Sequence, residues 1–211
     1  MPEFSRLTGS SSGAQLDFVE REATPRELMR LSIQLHLSGL SLSDTVSILE
    51  KFGVEPARST VHNWVQKAEL QPTDGKQPDH IALDETVIQL DDQRYWLYAA
   101  VDSETNEFLH VKLYSTRTTA LTSIFLTELR EKHDVDDAVF LVDSAPWLKA
   151  ALHGHGLRFR YETHGNRNAV ERLFQEIKRR TSQFGNCFRN ADLETAETWL
   201  QSYAYCWNQL I

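Results

Sequence analysis

The run AVFLVDSAPW, from Ala138 to Trp147, carries five apolar residues that stop abruptly on Asp143 and give way to small residues and a proline. A short Val- and Phe-containing run closed by a breaker reads as a buried strand. Asp143 therefore stands where a core strand opens onto a loop, a place where the chain's surfacing alone would also put a charge. Two features raise its interest. Asp84, inside IALDET, follows a second apolar run in the same way, and Glu171 offers a third carboxylate on a helical segment further on.

Working outward, HIALDETVIQL, RYWLYAAVD and NEFLHVKLY are three β-rich runs separated by the turn-like LDDQ and SETN, which predicts an antiparallel meander. A helix is expected from about Thr118 to Lys132, with Leu121, Ile124, Phe125 and Leu129 on one face. After the 138–143 strand come a short helix, the strand-like LRFRYE, and helices over Asn166 to Gln183 and Asp192 to Asn208. The last carries Trp199, Leu200, Tyr203 and Trp207 as core residues. This α/β order resembles the ribonuclease-H-like fold: a mixed five-stranded sheet with flanking helices, its first and fourth strands adjacent in the middle.

Upstream, residues 1–24 are polar and read as a flexible arm. Residues 25–70 predict three short helices. The first has Leu28, Leu31, Leu35 and Leu37 near helical spacing; the second has Ser43 as candidate N-cap and Gly53 as its stop; the third turns Val61, Trp64, Val65 and Ala68 inward. Such a module fits a helix-turn-helix, in which the third helix would offer Arg58, Ser59, Thr60, His62, Asn63 and Lys67 to phosphates or base edges. An ordinary three-helix subdomain with a polar face has the same pattern. Residues 71–79, QPTDGKQPD, read as a linker, and residues 80–211 as a second domain of ribonuclease-H-like order.

At 211 residues and 41% hydrophobic content the chain can bury a sizeable core. No apolar run reaches the roughly 20 residues of a membrane span, and the N-terminus lacks signal-peptide order, so the expected location is the cytoplasm, at the nucleoid. Cys187 and Cys206 have neither disulfide-framework nor zinc-site spacing. The net charge of −8 argues globally against nucleic acid as partner, yet Lys149 to Asn190 holds nine basic residues against three acids. That local +6 leaves −14 for the remainder, a basic face on an acidic background.

If the first and fourth strands are neighbours, Asp84 and Asp143 can share a divalent cation, with Glu171 delivered to the same end of the sheet by its helix. Hard oxygen ligands suit Mg²⁺ or Mn²⁺, and two such ions about 3.5–4 Å apart stabilise both oxygens of a phosphodiester displacement. Lys178 follows Glu171 by seven residues, on the same helix face, and Arg172, Arg179 and Arg180 widen its positive surface. Glu85, Asp91, Asp92 and Asp102 read as turn or surface acids, and His153, His155 and His164 as loop histidines.

The blocks LDETVIQLDDQRYWLYAAVDSETNEFLHVKLYSTRT, VFLVDSAPW and GNRNAVERLFQEIKRR resemble the signature blocks of DDE transposases of the insertion-sequence-six type, over about Ser41 to Trp207. The resemblance implies an Mg²⁺- or Mn²⁺-dependent enzyme that cuts the ends of its own element and joins the 3′-OH groups to target DNA. It implies Asp84, Asp143 and Glu171 as the metal-binding triad and Lys178 as the basic residue after the Glu, with Arg167 in the GNRN block. Glu176, which lacks the preceding GNRN, is a second candidate for the third acid. DNA and further copies of the chain are the implied partners, because two element ends must be joined in concert. A nuclease without strand transfer and a non-catalytic helix-turn-helix protein are the rival readings.

Overall fold

The computed structural model describes residues 16, 24–90, 92–162, 168–183, 188 and 191–210, with the side chains of 168 and 180–183 excepted. The chain forms two compact units, Met1–Leu70 and Gln71–Ile211. None of the described helices is long and apolar enough to cross a membrane.

The first unit contains α1 (Arg26–Leu37), α2 (Leu42–Glu50) and α3 (Arg58–Ala68), packed pairwise against one another. Ser41, not Ser43, caps α2: its Oγ accepts the Asp44 amide at 3.0 Å and donates to the Asp44 carboxylate at 2.7 Å, an arrangement whose loss typically costs about 1 kcal/mol. Gly53, at φ 79°, takes the left-handed conformation in the turn after α2. The buried face of α1 is Leu28, Met29, Ile33, His36 and Leu37, so the face expected from Leu31 and Leu35 is rotated and those two are half-buried. Val61, Trp64 and Val65 of α3 are fully buried, and Arg58, Ser59, Asn63 and Lys67 are exposed.

The second unit is built on β1 (His80–Leu90), β2 (Gln93–Asp102), β3 (Phe108–Tyr114), β4 (Val139–Val142) and β5 (Arg158–Tyr161), in the spatial order β3-β2-β1-β4-β5. β1, β2 and β3 pair antiparallel, whereas β4 and β5 run parallel to β1. This is the ribonuclease-H-like sheet, with β1 at its centre beside β4. The central strands are apolar on both faces, as strands covered on both sides must be: Ile81–Leu83 and Leu97–Val101 are fully buried. On one face α4 (Thr119–Lys132) and α5 (Pro146–Gly154) pack Phe125, Leu126, Leu129, Leu148 and Leu152 against Ile81, Leu83, Tyr98 and Phe140. On the other lies α6 (Asn168–Gln183), against β1 and β2. Ile124, expected inside, is 48% exposed, because the α4 stripe passes through Thr122, Phe125, Leu126 and Leu129.

α7 (Leu193–Asn208) covers the outer edge of β3. The Asn208 carboxamide mimics a neighbouring strand, accepting the Phe108 amide and donating to the Phe108 carbonyl, both at 2.8 Å, and Glu197 accepts the Leu113 amide at 3.0 Å. An edge that would otherwise present unpaired backbone groups is thereby closed. The expected linker at 71–79 is fastened to this unit: the Gly75 amide donates to the Lys132 carbonyl, the Lys76 amide to His133, and the Val139 amide to the Asp79 carbonyl.

Two buried histidines make this unit sensitive to acid. Burial lowers the pKa of His110, against the opposing Glu128 hydrogen bond and with help from Lys132 and Lys112. His133 is lowered chiefly by burial too, although it bonds the Leu109 carbonyl. An unfolded histidine takes up its proton near 6.5, so below that pH the unfolded state gains protons that the fold resists, and stability falls. Glu85, raised to about 7, has the opposite sign: its contribution is lost as pH rises from the unfolded value near 4.5 through 7. The two effects separate in a difference measurement. Between pH 7 and 5.5 the wild type should lose up to about 1.4 kcal/mol per histidine more than a His110→Gln/His133→Gln variant. Urea unfolding at the two pH values measures this, and equal losses would refute it.

Candidate active site

The β1–β4 register pairs His80 with Val139, Ile81 with Phe140 and Ala82 with Leu141. Carried two residues further along both segments, it brings Asp84 level with Asp143. Side chains alternate along a strand, so Asp84 lies on the Ala82 face, the one α6 covers, while Asp143 continues from Leu141 one residue past the end of β4. Asp143 directly follows β4, and its Oδ1 accepts the Ala145 amide at 2.8 Å, shaping the turn that leads into Pro146 at the start of α5. Asp84 Oδ1 accepts the Glu85 amide at 2.9 Å.

Glu171 sits half-buried in the first turn of α6. Its neighbour Arg172 donates to the Asn106 carboxamide at 2.8 Å, fixing this turn of the helix to the β2–β3 connection. That connection adjoins Asp102, which pairs with Ile81, whereas Asp84 pairs with Ala99, three residues away and about 10 Å along the strand. Among the described residues no three His, Cys, Asp or Glu side chains are gathered closely enough to hold a metal ion. The chemistry of the donor set fits a hard divalent cation, being carboxylate oxygens from the middle of β1, the segment just past β4 and an adjacent helix.

Glu176 is held by two nitrogens of the Arg179 guanidinium, Nε donating to Oε2 at 2.9 Å and Nη2 to Oε1, which occupies the rival third acid. Lys178 and Arg179 are exposed on α6. Arg180 belongs to the helix, with its side chain outside the described atoms, and Arg167, His164 and Cys187 lie outside the described residues. Of the histidines, His155 is hydrogen-bonded to Ser123 at 2.8 Å and His153 packs edge-on to Phe159. Asp102 caps its own turn through the Glu104 amide. On the first unit, Thr60 and His62 are half-buried beside exposed Arg58, Asn63 and Lys67.

Glu85 is the residue the sequence reading misplaced. It points to the α4–α5 face, opposite Asp84, and its side chain is only 4% exposed. Trp147 Nε1 donates to Glu85 Oε1 at 3.1 Å, and Arg117 approaches the same oxygen at 3.5 Å. The Arg117 guanidinium lies between two indoles, 4.0 Å from Trp96 and 4.4 Å from Trp147. Burial, then the neighbouring charges of Asp84 and Asp143, push the Glu85 pKa up to about 7 against the pull of Trp147 and Arg117. The two aspartates therefore make a concentration of negative charge at this end of the sheet, the electrostatic setting a divalent cation relieves.

Comparison with known proteins gives this arrangement its relatives. A family described as a DDE domain, of the IS240 transposase type, matches residues 79–208. The chain is 30% identical over 198 residues to the uncharacterized protein MJ0017 of Methanocaldococcus jannaschii, covering 90% of this chain and 92% of that one. It is 41% identical over 58 residues to the uncharacterized protein aq_aa24 of Aquifex aeolicus, covering 27% and 48% of the two chains. Among solved structures, the catalytic core domain of HTLV-2 integrase in complex with magnesium aligns with a TM-score of 0.46 at 18% identity, over 68% of this chain and 91% of that one. The catalytic core domain of BIV integrase aligns with a TM-score of 0.44 at 11% identity, over 59% and 82%. With the family matched across β1 to α7, the chain belongs to the DDE transposases of the insertion-sequence-six type.

Proposed function

We propose that this protein is the transposase of an insertion sequence, which binds the ends of its element and catalyses metal-dependent DNA strand cleavage and 3′-OH strand transfer. The observation that supports this reading is the parallel β1–β4 register, which, carried two residues beyond Ala82 and Leu141, sets Asp84 level with Asp143. Asp84, Asp143 and Glu171 would hold Mg²⁺ or Mn²⁺, as two ions, and the bound metal supplies Lewis-acid stabilisation of the attacking and leaving oxygens. The carboxylates orient that centre. Lys178, Arg172, Arg179, Arg180 and Arg167 form the cationic surface on which DNA phosphates rest.

On this reading residues 25–70 are a helix-turn-helix module that recognises the terminal inverted repeats through Arg58, Thr60, His62, Asn63 and Lys67 of α3. Residues 71–79 lead into the catalytic domain at 80–211. Joining two ends in concert requires a dimer or larger assembly, working on DNA at the nucleoid. The test is a strand-transfer assay on labelled DNA ends taken from beside the coding sequence, with Mg²⁺ or Mn²⁺. Joined products that need the metal are the expected result. Cleavage without joining would replace the transposase by a nuclease, and binding without either product by a DNA-binding protein.

A further inference from the structure

The β1–β4 ladder ends at Ala82 and Leu141, two residues short of the aspartates it aligns. Beyond that point the two segments are joined by the hydrogen bond from Trp147, four residues after Asp143, to Glu85, one residue after Asp84. The geometry points to Glu85, Trp147 and Arg117 as a positioning brace, set on the far side of the sheet, that fixes the spacing of Asp84 and Asp143. This inference rests on the proposed metal-dependent function and assigns a structural cause to its metal affinity.

Each part of the brace comes from a different element, which is what a clamp between separate segments requires. Glu85 is on β1, Trp147 on α5, Trp96 on β2, and Arg117 in the connection between β3 and α4. A carboxylate buried this deeply is stable only if hydrogen-bonded and charge-compensated. The indole N–H supplies a single directed donor, and the guanidinium supplies the compensating charge. Arg117 is itself held in place by the two ring faces that sandwich it, so the charge stays where the carboxylate needs it. Glu85 Oε1 thus receives both partners, whereas Oε2 is buried with no hydrogen-bond partner among the described residues. The carboxylate is therefore oriented through one oxygen, and moving Trp147 moves the segment that carries Asp143. Because the brace faces away from the aspartates, it acts through backbone position and touches neither DNA nor metal.

Residues that orient metal ligands from behind typically change affinity by about 10- to 100-fold when lost. The test is Mn²⁺ binding to the full chain by calorimetry, beside kcat and metal KM in strand cleavage, for Trp147→Phe, Glu85→Leu, Glu85→Gln and Asp143→Asn. Trp147→Phe keeps the ring over Arg117 and removes only the N–H. It and Glu85→Leu should weaken Mn²⁺ binding by about 10-fold or more, raising the metal KM more than they lower kcat. Glu85→Gln, which keeps the acceptor oxygen, should restore binding toward wild type. If Asp143→Asn loses Mn²⁺ binding while folded Trp147→Phe binds like wild type, the brace is refuted and the metal site stands. If Trp147→Phe does not fold, the two Glu85 variants decide, and equal Mn²⁺ binding by Leu and Gln refutes it. If Asp143→Asn binds Mn²⁺ as wild type does, the metal site itself falls and the brace with it.

Discussion

Asp143→Asn is expected to reduce metal-dependent strand joining by about a thousandfold or more, a barrier increase of about 4 kcal/mol, in the range of the several kcal/mol a correctly held divalent ion supplies. The substitution separates charge from structure. An Asn side chain retains the oxygen that accepts the Ala145 amide at 2.8 Å, so the turn between β4 and α5 keeps its hydrogen bond. Only the anionic ligand disappears. Asp84→Asn should behave alike, since its Oδ1 likewise accepts a backbone amide. Single-turnover joining of labelled DNA ends, with thermal unfolding and DNA binding as controls, checks the prediction. A folded variant that keeps a tenth of wild-type joining would exclude Asp143 from the metal centre.

Phe140→Ala carries the largest expected stability cost. Phe140 is fully buried in β4, within the cluster of Ile81, Phe125, Leu129, Val142, Leu148 and Leu152 that α4 and α5 press onto the sheet. Removing its ring loses transfer free energy and leaves a cavity, costing about 3–5 kcal/mol. Against the roughly 5–15 kcal/mol by which folded domains are stable, this removes a large share, and it does so in the strand that positions Asp143. Ile124→Ala is the matched control: on the exposed side of α4, it should change stability by no more than about 0.5 kcal/mol. Urea unfolding of both variants measures the contrast, and similar midpoints would show that β4 is not the keystone of the core.

The strand and helix order was legible because the strands are β-rich runs bounded by turn-forming residues, most clearly in AVFLVDSAP, where Pro146 opens α5. Asp84 and Asp143 stand out in the sequence because each follows apolar residues, Asp143 just past the end of β4 and Asp84 within β1, and their part in a metal centre is the proposal made above. Glu85 does not, because a carboxylate beside a candidate ligand reads as surface. Its parity could have placed it: it shares the strand face of buried Ile81 and Leu83. What no periodicity carries is its partners, since Arg117 and Trp147 stand far away in sequence on separate elements. The face of α1 was misjudged because leucines were counted and the buried Met29, Ile33 and His36 were not. The Asn208 contact to Phe108 is a single polar side chain acting at a separation of 100 residues, beyond any local pattern.

That last contact has a consequence for how the protein is made. β3 emerges from the ribosome well before the helix that seals it, with separations of 84 residues to Glu197 and 100 to Asn208. At about 5–20 residues per second, the nascent chain spends roughly 4–20 s with β3 synthesised and its outer ladder groups unclaimed. During that interval the strand is a template for pairing with another nascent chain, and long-range closure of this kind is intrinsically slow. The stretch of synthesis between β3 and α7 is therefore the interval in which this edge is open to misassembly.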